Sequence, residues 1–304
     1  MESALIILKQ LAIMAIYCLV GATLHKAKLV SKEGCRAFSK LLLYVILPCV
    51  IVQSFLREAK PEITKALAAC GGVSVLLLAI AIGISRLFVS RDPIAMFSAS
   101  FSNAGFMGIP LITMAYSSNE VLYIAPFVAL VNVLQWTYGQ SLLLGKRQGT
   151  PLEILRNPLV LSLIVGAAVY ALPFSVPDIL QKPISALASC NGPIAMIILG
   201  YYLAEVPFRQ IVCTPSAWQV SVLRLLVIPA LSVLAVAWLP AVSAAAKTAL
   251  IIAASAPVGI NVAIYAELLG KDYQKAVAMI CNSSIMSLLT LPLMIFLSNI
   301  LITG

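Results

Sequence analysis

Ser102-Asn103-Ala104-Gly105-Phe106-Met107-Gly108-Ile109-Pro110 and Ala256-Pro257-Val258-Gly259-Ile260-Asn261 are two clusters of helix-breaking residues, one in each half of the chain, each inside an otherwise apolar segment. A helix facing lipid gains nothing from Gly, Pro and Asn gathered at membrane depth. Non-helical backbone is tolerated there only where it is buried in protein or lines a cavity. Interrupted segments at matching places in two halves are the sequence pointer to a transporter's binding site.

The surrounding composition puts these clusters in a membrane. The 304 residues are 62% hydrophobic and 10% charged, with a mean hydropathy of +1.04. Soluble domains carry roughly 25% charged residues. A spanning helix needs about 20 residues, so ten helices with short loops consume the whole chain. No soluble domain is left over. We read ten segments, at about 3–24, 36–56, 63–87, 93–116, 121–144, 157–172, 179–204, 216–239, 246–268 and 273–301. The first is too long for a cleavable signal and is read as a helix that stays.

The net charge of +9 would suit nucleic acid, but its placement argues against that partner. The loops after segments one, three, five, seven and nine hold twelve Lys and Arg, from Lys26 to Lys275, against six on the opposite side. The bias puts the richer side in the cytoplasm and both termini outside. The expected location is the plasma or inner membrane of the cell, multi-pass.

The two halves align weakly. An offset of 145 carries Val20-Gly21-Ala22 onto Val165-Gly166-Ala167 and Pro48 onto Pro193. An offset of 154 carries Asn103 onto Pro257 and Gly105 onto Gly259. Five segments is an odd number, so the second half enters from the opposite side: an inverted repeat. The expected units are residues 1–145, a cytoplasmic linker at 146–156, and residues 157–304.

In the first cluster Pro110 removes a backbone donor and clashes with the preceding turn. Gly105 and Gly108 loosen the helix, and Asn103 can offer a donor and an acceptor to the freed backbone. In the second, Pro257 breaks the helix, Gly259 loosens it and Asn261 is the polar partner. Two broken helices crossing near the midplane would aim half-helix N-termini at one point. Each such end carries roughly half a positive charge and binds carboxylates without a buried Lys or Arg.

The stretch NAGFMGIPL at 103–111 resembles the fourth-helix motif of the auxin efflux carrier family, the AEC and PIN-type transporters. LPCVIVQSF at 47–55, NPLVLSLIVG at 157–166, RLLVIPAL at 224–231 and the run from APVGIN at 256 to LLTLPL at 293 agree with it, in order and over nearly the whole chain. The short linker resembles that of bacterial and archaeal members. The resemblance implies an all-α membrane protein of ten transmembrane helices in two inverted five-helix repeats, with a crossover of broken helices 4 and 9, similar to NhaA-type antiporters and bile-acid symporters. It implies a scaffold of helices 1, 2, 6 and 7, a homodimer through helices 2 and 7, and a mobile transport domain of helices 3–5 and 8–10. By position, Asn103 and the Pro257 region resemble the residues that contact substrate, Gln135 a polar fifth-helix position and Ser54 a second-helix position facing that site. Two departures stand out. Ser102 replaces a Pro before the Asn, and the acidic–basic pair of the third helix has no counterpart between Ala66 and Ser85.

Secondary candidates are Asn132, Arg224, Asn282 and Ser283, polar residues inside segments whose bland reading is interhelical hydrogen bonding. Arg224 lies about nine residues into segment eight. Its stem can snorkel to the cytoplasmic interface; the alternative is a charge that draws anions into an inward cavity. Glu205 and Glu267, near cytoplasmic segment ends, are the nearest candidates for a proton- or sodium-binding carboxylate, with interfacial charges as the bland reading, and His25 is read as solvated. The seven cysteines have no metal or disulfide spacing and are read as core-filling thiols. One His and no carboxylate at membrane depth argue against an intramembrane enzyme. No cofactor and no metal is expected, and Na+ or H+ coupling is left open. The expected function is a secondary transporter of small organic anions, mono- or dicarboxylates and auxin-like acids, working by an elevator-like motion. The rivals are an ion-coupled symporter and a channel or sensor on the same fold.

Overall fold

The computed structural model describes residues 2–56, 61–109, 111–112, 121–145, 158–171, 176–239 and 242–303. Pro110 and the linker at 146–156 lie outside the described residues. Within them the chain is helical, without strands apart from one isolated bridge. In order the helices are α1 (Glu2–Lys26), α2 (Lys32–Phe55), α3 (Pro61–Val89), α4 (Pro93–Ser100), α5 (Val121–Leu144), α6 (Pro158–Ala171), α7 (Asp178–Leu203), α8 (Phe208–Cys213), α9 (Pro215–Ala237), α10 (Ala244–Ser255), α11 (Asn261–Leu268) and α12 (Tyr273–Thr303).

Among the described residues, six helical runs are long and apolar enough to cross a membrane: Lys32–Phe55, Thr64–Val89, Val121–Leu144, Asp178–Leu203, Pro215–Ala237 and Tyr273–Ile302. They present large apolar side chains outward, among them Leu87, Leu289 and Phe296. An apolar surface of that extent suits acyl chains rather than water. The chain is an all-helical membrane protein.

Two packing groups are evident. Helix α1 runs along α7, and α2 packs on α6 and α7. Helix α3 packs on α4 and α5, and α9, α10 and α11 pack on α12. The α1–α7 contact depends on glycine. A Cβ on Gly21 would strike the Ile197 carbonyl, and one on Gly200 the Cys18 carbonyl. Without a hydrophobic drive between helices in lipid, such small residues let backbones approach.

Three details differ from the sequence expectation. Segment seven is not one uninterrupted helix: α7 turns at Cys190, where Asn191-Gly192-Pro193 follows. The short helix α8 precedes segment eight. The first break lies at Phe101–Asn103, upstream of Gly105. Phe101 is extended (φ −120°, ψ 119°), and a π-helical turn over Ala104–Gly108 follows. Three further π-turns occur, at Leu42–Ile46, Gln135–Gly139 and Leu223–Val227. Such turns collect at functional sites because they re-aim side chains.

Candidate functional site

Each half-helix that leads into a break has a local cause for its bounds. Helix α4 starts where Asp92 accepts from the Ile94 and Ala95 amides, both at 3.2 Å, with Pro93 at the first helical position. Helix α10 starts at Ser243, whose hydroxyl accepts from Ala246 N, and stops at Ser255. Pro257 pushes the preceding Ala256 out of the helical region, to φ −60° and ψ 151°.

The two interruptions meet. Ser102 and Val258 form an antiparallel bridge. Asn103 N donates to Pro257 O (2.7 Å) and Gly259 N to Phe101 O (3.1 Å). The Ser102 hydroxyl donates to Ala253 O (2.8 Å), and Val258 N donates to the Ser283 hydroxyl (3.1 Å). The backbone groups freed by the breaks are thus satisfied largely by one another. The expectation that the Asn103 side chain would supply these partners is corrected: it makes no capping bond, and its Oδ1 has no partner among the described residues. Gly259 permits the approach, since a Cβ there would stand 3.2 Å from both Ser102 O and Gln135 Nε2.

The C-terminal ends of α4 and α10 converge on Arg224. One terminal nitrogen donates to Ala99 O (3.0 Å) and Ser100 O (3.2 Å), the other to Ala254 O. The residue is 1% exposed. For Arg224 the snorkelling reading is therefore corrected. No acidic side chain among the described residues pairs with it. Two helix C-termini, each about half a negative charge, together offset one guanidinium.

On the other side of the bridge lies a cavity of about 20 Å³, bordered by Leu47, Ser102, Asn103, Gly105, Val128, Val131, Asn132, Gln135, Asn191, Gly259, Ile260 and Asn261. That is room for roughly one water. The Ala104–Gly108 turn and α11 both start here; Met107 N donates to Asn103 O (3.0 Å), Val262 N to Gly259 O (3.3 Å) and Ala263 N to Ile260 O (3.0 Å), so only the amides nearest the bridge are those for which a helix has no acceptor of its own. Asn132 Nδ2 donates to Val128 O (3.0 Å), and Asn261 Nδ2 donates to Gln135 Oε1 (2.7 Å) and Asn132 Oδ1 (3.4 Å). No charged side chain lines this cavity among the described residues.

Of the sequence candidates, Asn103, Gly105, Gly259, Asn261, Gln135 and Asn132 come together around this cavity. Pro257 contributes its carbonyl to the bridge. Ser283 braces Val258 from α12, and Asn282 accepts from Ser221 (2.7 Å), tying α12 to α9; neither lines the cavity. Pro110 is outside the described residues. Ser54 stands farther out, in a cavity of about 410 Å³ with Gln53, Gln181 and Ser185. A third cavity, about 440 Å³, shares Gly105 and Asn191 with the small one and Val50, Gln53 and Ile109 with the outer one. Together they trace a path from the bridge to the end of the molecule where α2 finishes and α5 and α7 begin.

Sequence reasoning missed Asn191, although Asn-Gly-Pro in an apolar segment is the same kind of signal as the second breaker cluster. It also misjudged the opposite end. Glu267, read as interfacial, is 2% exposed and accepts from Arg36 Nε at 2.6 Å. Tyr273 donates to Glu205, Lys32 stands 5.0 Å over the Tyr273 ring, and the part-exposed His25 meets Tyr201 edge-on with ring centroids 4.7 Å apart.

Known proteins agree with a transport role. The family described as membrane transport protein matches residues 6–150 and 147–295. A protein of Rhizobium meliloti (strain 1021) described as "Putative malonate transporter" is 25% identical over 281 residues, 87% of each chain. The chain belongs to the membrane transport protein family, the auxin efflux carrier group that the NAGFMGIPL stretch resembles.

Proposed function

We propose that this membrane transport protein is a secondary carrier of small organic anions of malonate size, bound where the two interrupted helices meet. The observation that carries the reading is an electrostatic asymmetry. Arg224 occupies the C-terminal side of the paired breaks, and the N-terminal side faces an uncharged carboxamide-lined cavity. Two half-helix N-termini present about one positive charge there. A carboxylate matches that charge, and backbone amides bind it at a lower desolvation cost than a buried ion pair. The description of the Rhizobium relative favours the same substrate class.

In this reading the fold is ten helices in two inverted repeats, with the interruptions as their crossover. The division of the family match near 147–150 supports that boundary. So do the distortions of α2 at Leu42–Ile46 and of α7 at Cys190, just before the aligned Pro48 and Pro193. The α1, α2, α6 and α7 group is the scaffold, pairing with a second copy through α2 and α7, and the remaining helices move. The cavities open toward the end with fewer basic residues, the extracytoplasmic end. The opposite end is held by Arg36–Glu267 and Tyr273–Glu205, each joining the scaffold to the moving group. An elevator-like step would break that latch and carry the bridge past the scaffold.

Uptake of radiolabelled malonate into proteoliposomes tests this. The wild-type protein should give saturable uptake, accelerated by internal malonate, and Asn103→Ala should lower it at least tenfold while expressing normally. Wild-type rates from Asn103→Ala would remove the site, and unitary conductance without saturation would remove the carrier.

A further inference from the structure

The cavity at the bridge offers acceptors as well as donors. Asn103, Asn191 and Asn261 are 3%, 6% and 4% exposed, all line it, and the Oδ1 of each has no hydrogen-bond partner among the described residues. For Asn261 the orientation is dictated by its neighbours. Val128 O can only accept, so it takes the Asn132 amide nitrogen. The Asn132 oxygen then faces Asn261, whose nitrogen also serves Gln135 Oε1. The Asn261 oxygen is what remains. A buried carboxamide oxygen without a partner is costly, so the Asn261 oxygen, with the Asn103 and Asn191 carboxamides beside it, marks a place for a donor. A fully ionised dicarboxylate offers none and would set its own oxygens against them. Its second charge would also exceed the roughly one positive charge of the two half-helix ends.

We propose that the site selects anions that carry one carboxylate and one hydrogen-bond donor, so that a dicarboxylate is bound in its singly protonated form and brings the proton with it. This rests on the carboxylate reading above. The carboxylate sits on the half-helix amides, and the acid O–H donates to the carboxamide oxygens. The ligand body extends into the 440 Å³ cavity that shares Gly105 and Asn191. No Asp, Glu, Lys, Arg or His lines either cavity among the described residues; Tyr17 lines the larger one, and Arg224 lies behind the bridge. The exchangeable proton therefore belongs to the ligand.

Two monoanions of the same shape decide the matter. Malonamate has an amide NH2 where acetoacetate has a methyl, so one donates and the other does not. Calorimetric titration of the purified full-length protein at pH 7.5 should give malonamate a Kd at least tenfold lower than acetoacetate. Asn191→Leu, which removes an oxygen that has no protein partner, should shrink that ratio to below threefold. The affinity for malonate should rise as pH falls toward the range where it takes up one proton, while that for malonamate stays flat. Acetoacetate binding as tightly as malonamate, or malonate affinity independent of pH, would overturn the proposal and leave the carboxylate site standing. Failure of all three anions to bind would overturn the carboxylate reading itself, and the proposal with it.

Discussion

Arg224 shows what a single side chain does in this fold. Its guanidinium serves carbonyls 124, 125 and 30 residues away in sequence, from two helices that end at the same place. Nothing in the local pattern around Arg224 reveals this, because the acceptors are brought there by tertiary pairing. Its buried carbonyl partners make the residue structural rather than interfacial. Arg224→Leu leaves them without a donor and should destabilise the protein by about 3 kcal/mol or more. Arg224→Lys should restore only part of that, since a lysine cannot span both helix ends as a planar fork does. Thermal unfolding in detergent measures both. That Asn103, Gly105, Gly259 and Asn261 would gather at one place was legible because helix breakers and carboxamides are conspicuous in apolar segments, and Gln135 was legible through the family resemblance. Asn191 was equally visible and overlooked.

At the scale of elements, the half-helices were anticipated and the break point was not. Phe101 and Ser102 carry no breaking residue, yet they are extended because Phe101 O and Asn103 N bond across to Gly259 and Pro257. Pairing with a distant segment overrides local preference. Gln135, which lines the cavity, and Arg224, which holds the helix ends, each lie in a π-turn. The latch between α2 and α11 is also an element-scale device. Arg36 is the half-exposed partner and Glu267 the buried one. Arg36→Gln should loosen that end and speed alkylation of Cys35, which is buried beside it, in a variant whose other cysteines are removed. A tenfold faster reaction would correspond to about 1.4 kcal/mol of lost closure. An unchanged rate would show that Arg36 does not hold the end shut.

For the whole molecule, hydropathy and the scarcity of charge were enough to place the chain in a membrane, and motif order was enough to place it in its family. The path of cavities and the electrostatic asymmetry were not legible, because both depend on which helix ends face each other. The molecule places its buried cation behind the paired breaks and carboxamides in front, and no acidic side chain is among the described residues that line the cavities there. Equilibrium binding of radiolabelled malonate tests that arrangement most directly. It should be measured for the wild type, Gly259→Ala, whose Cβ would stand 3.2 Å from Ser102 O and Gln135 Nε2, and Asn261→Leu. The account predicts saturable binding to the wild type at mildly acidic pH, weakened at least tenfold in each variant that remains folded; the same Kd in all three proteins would contradict it.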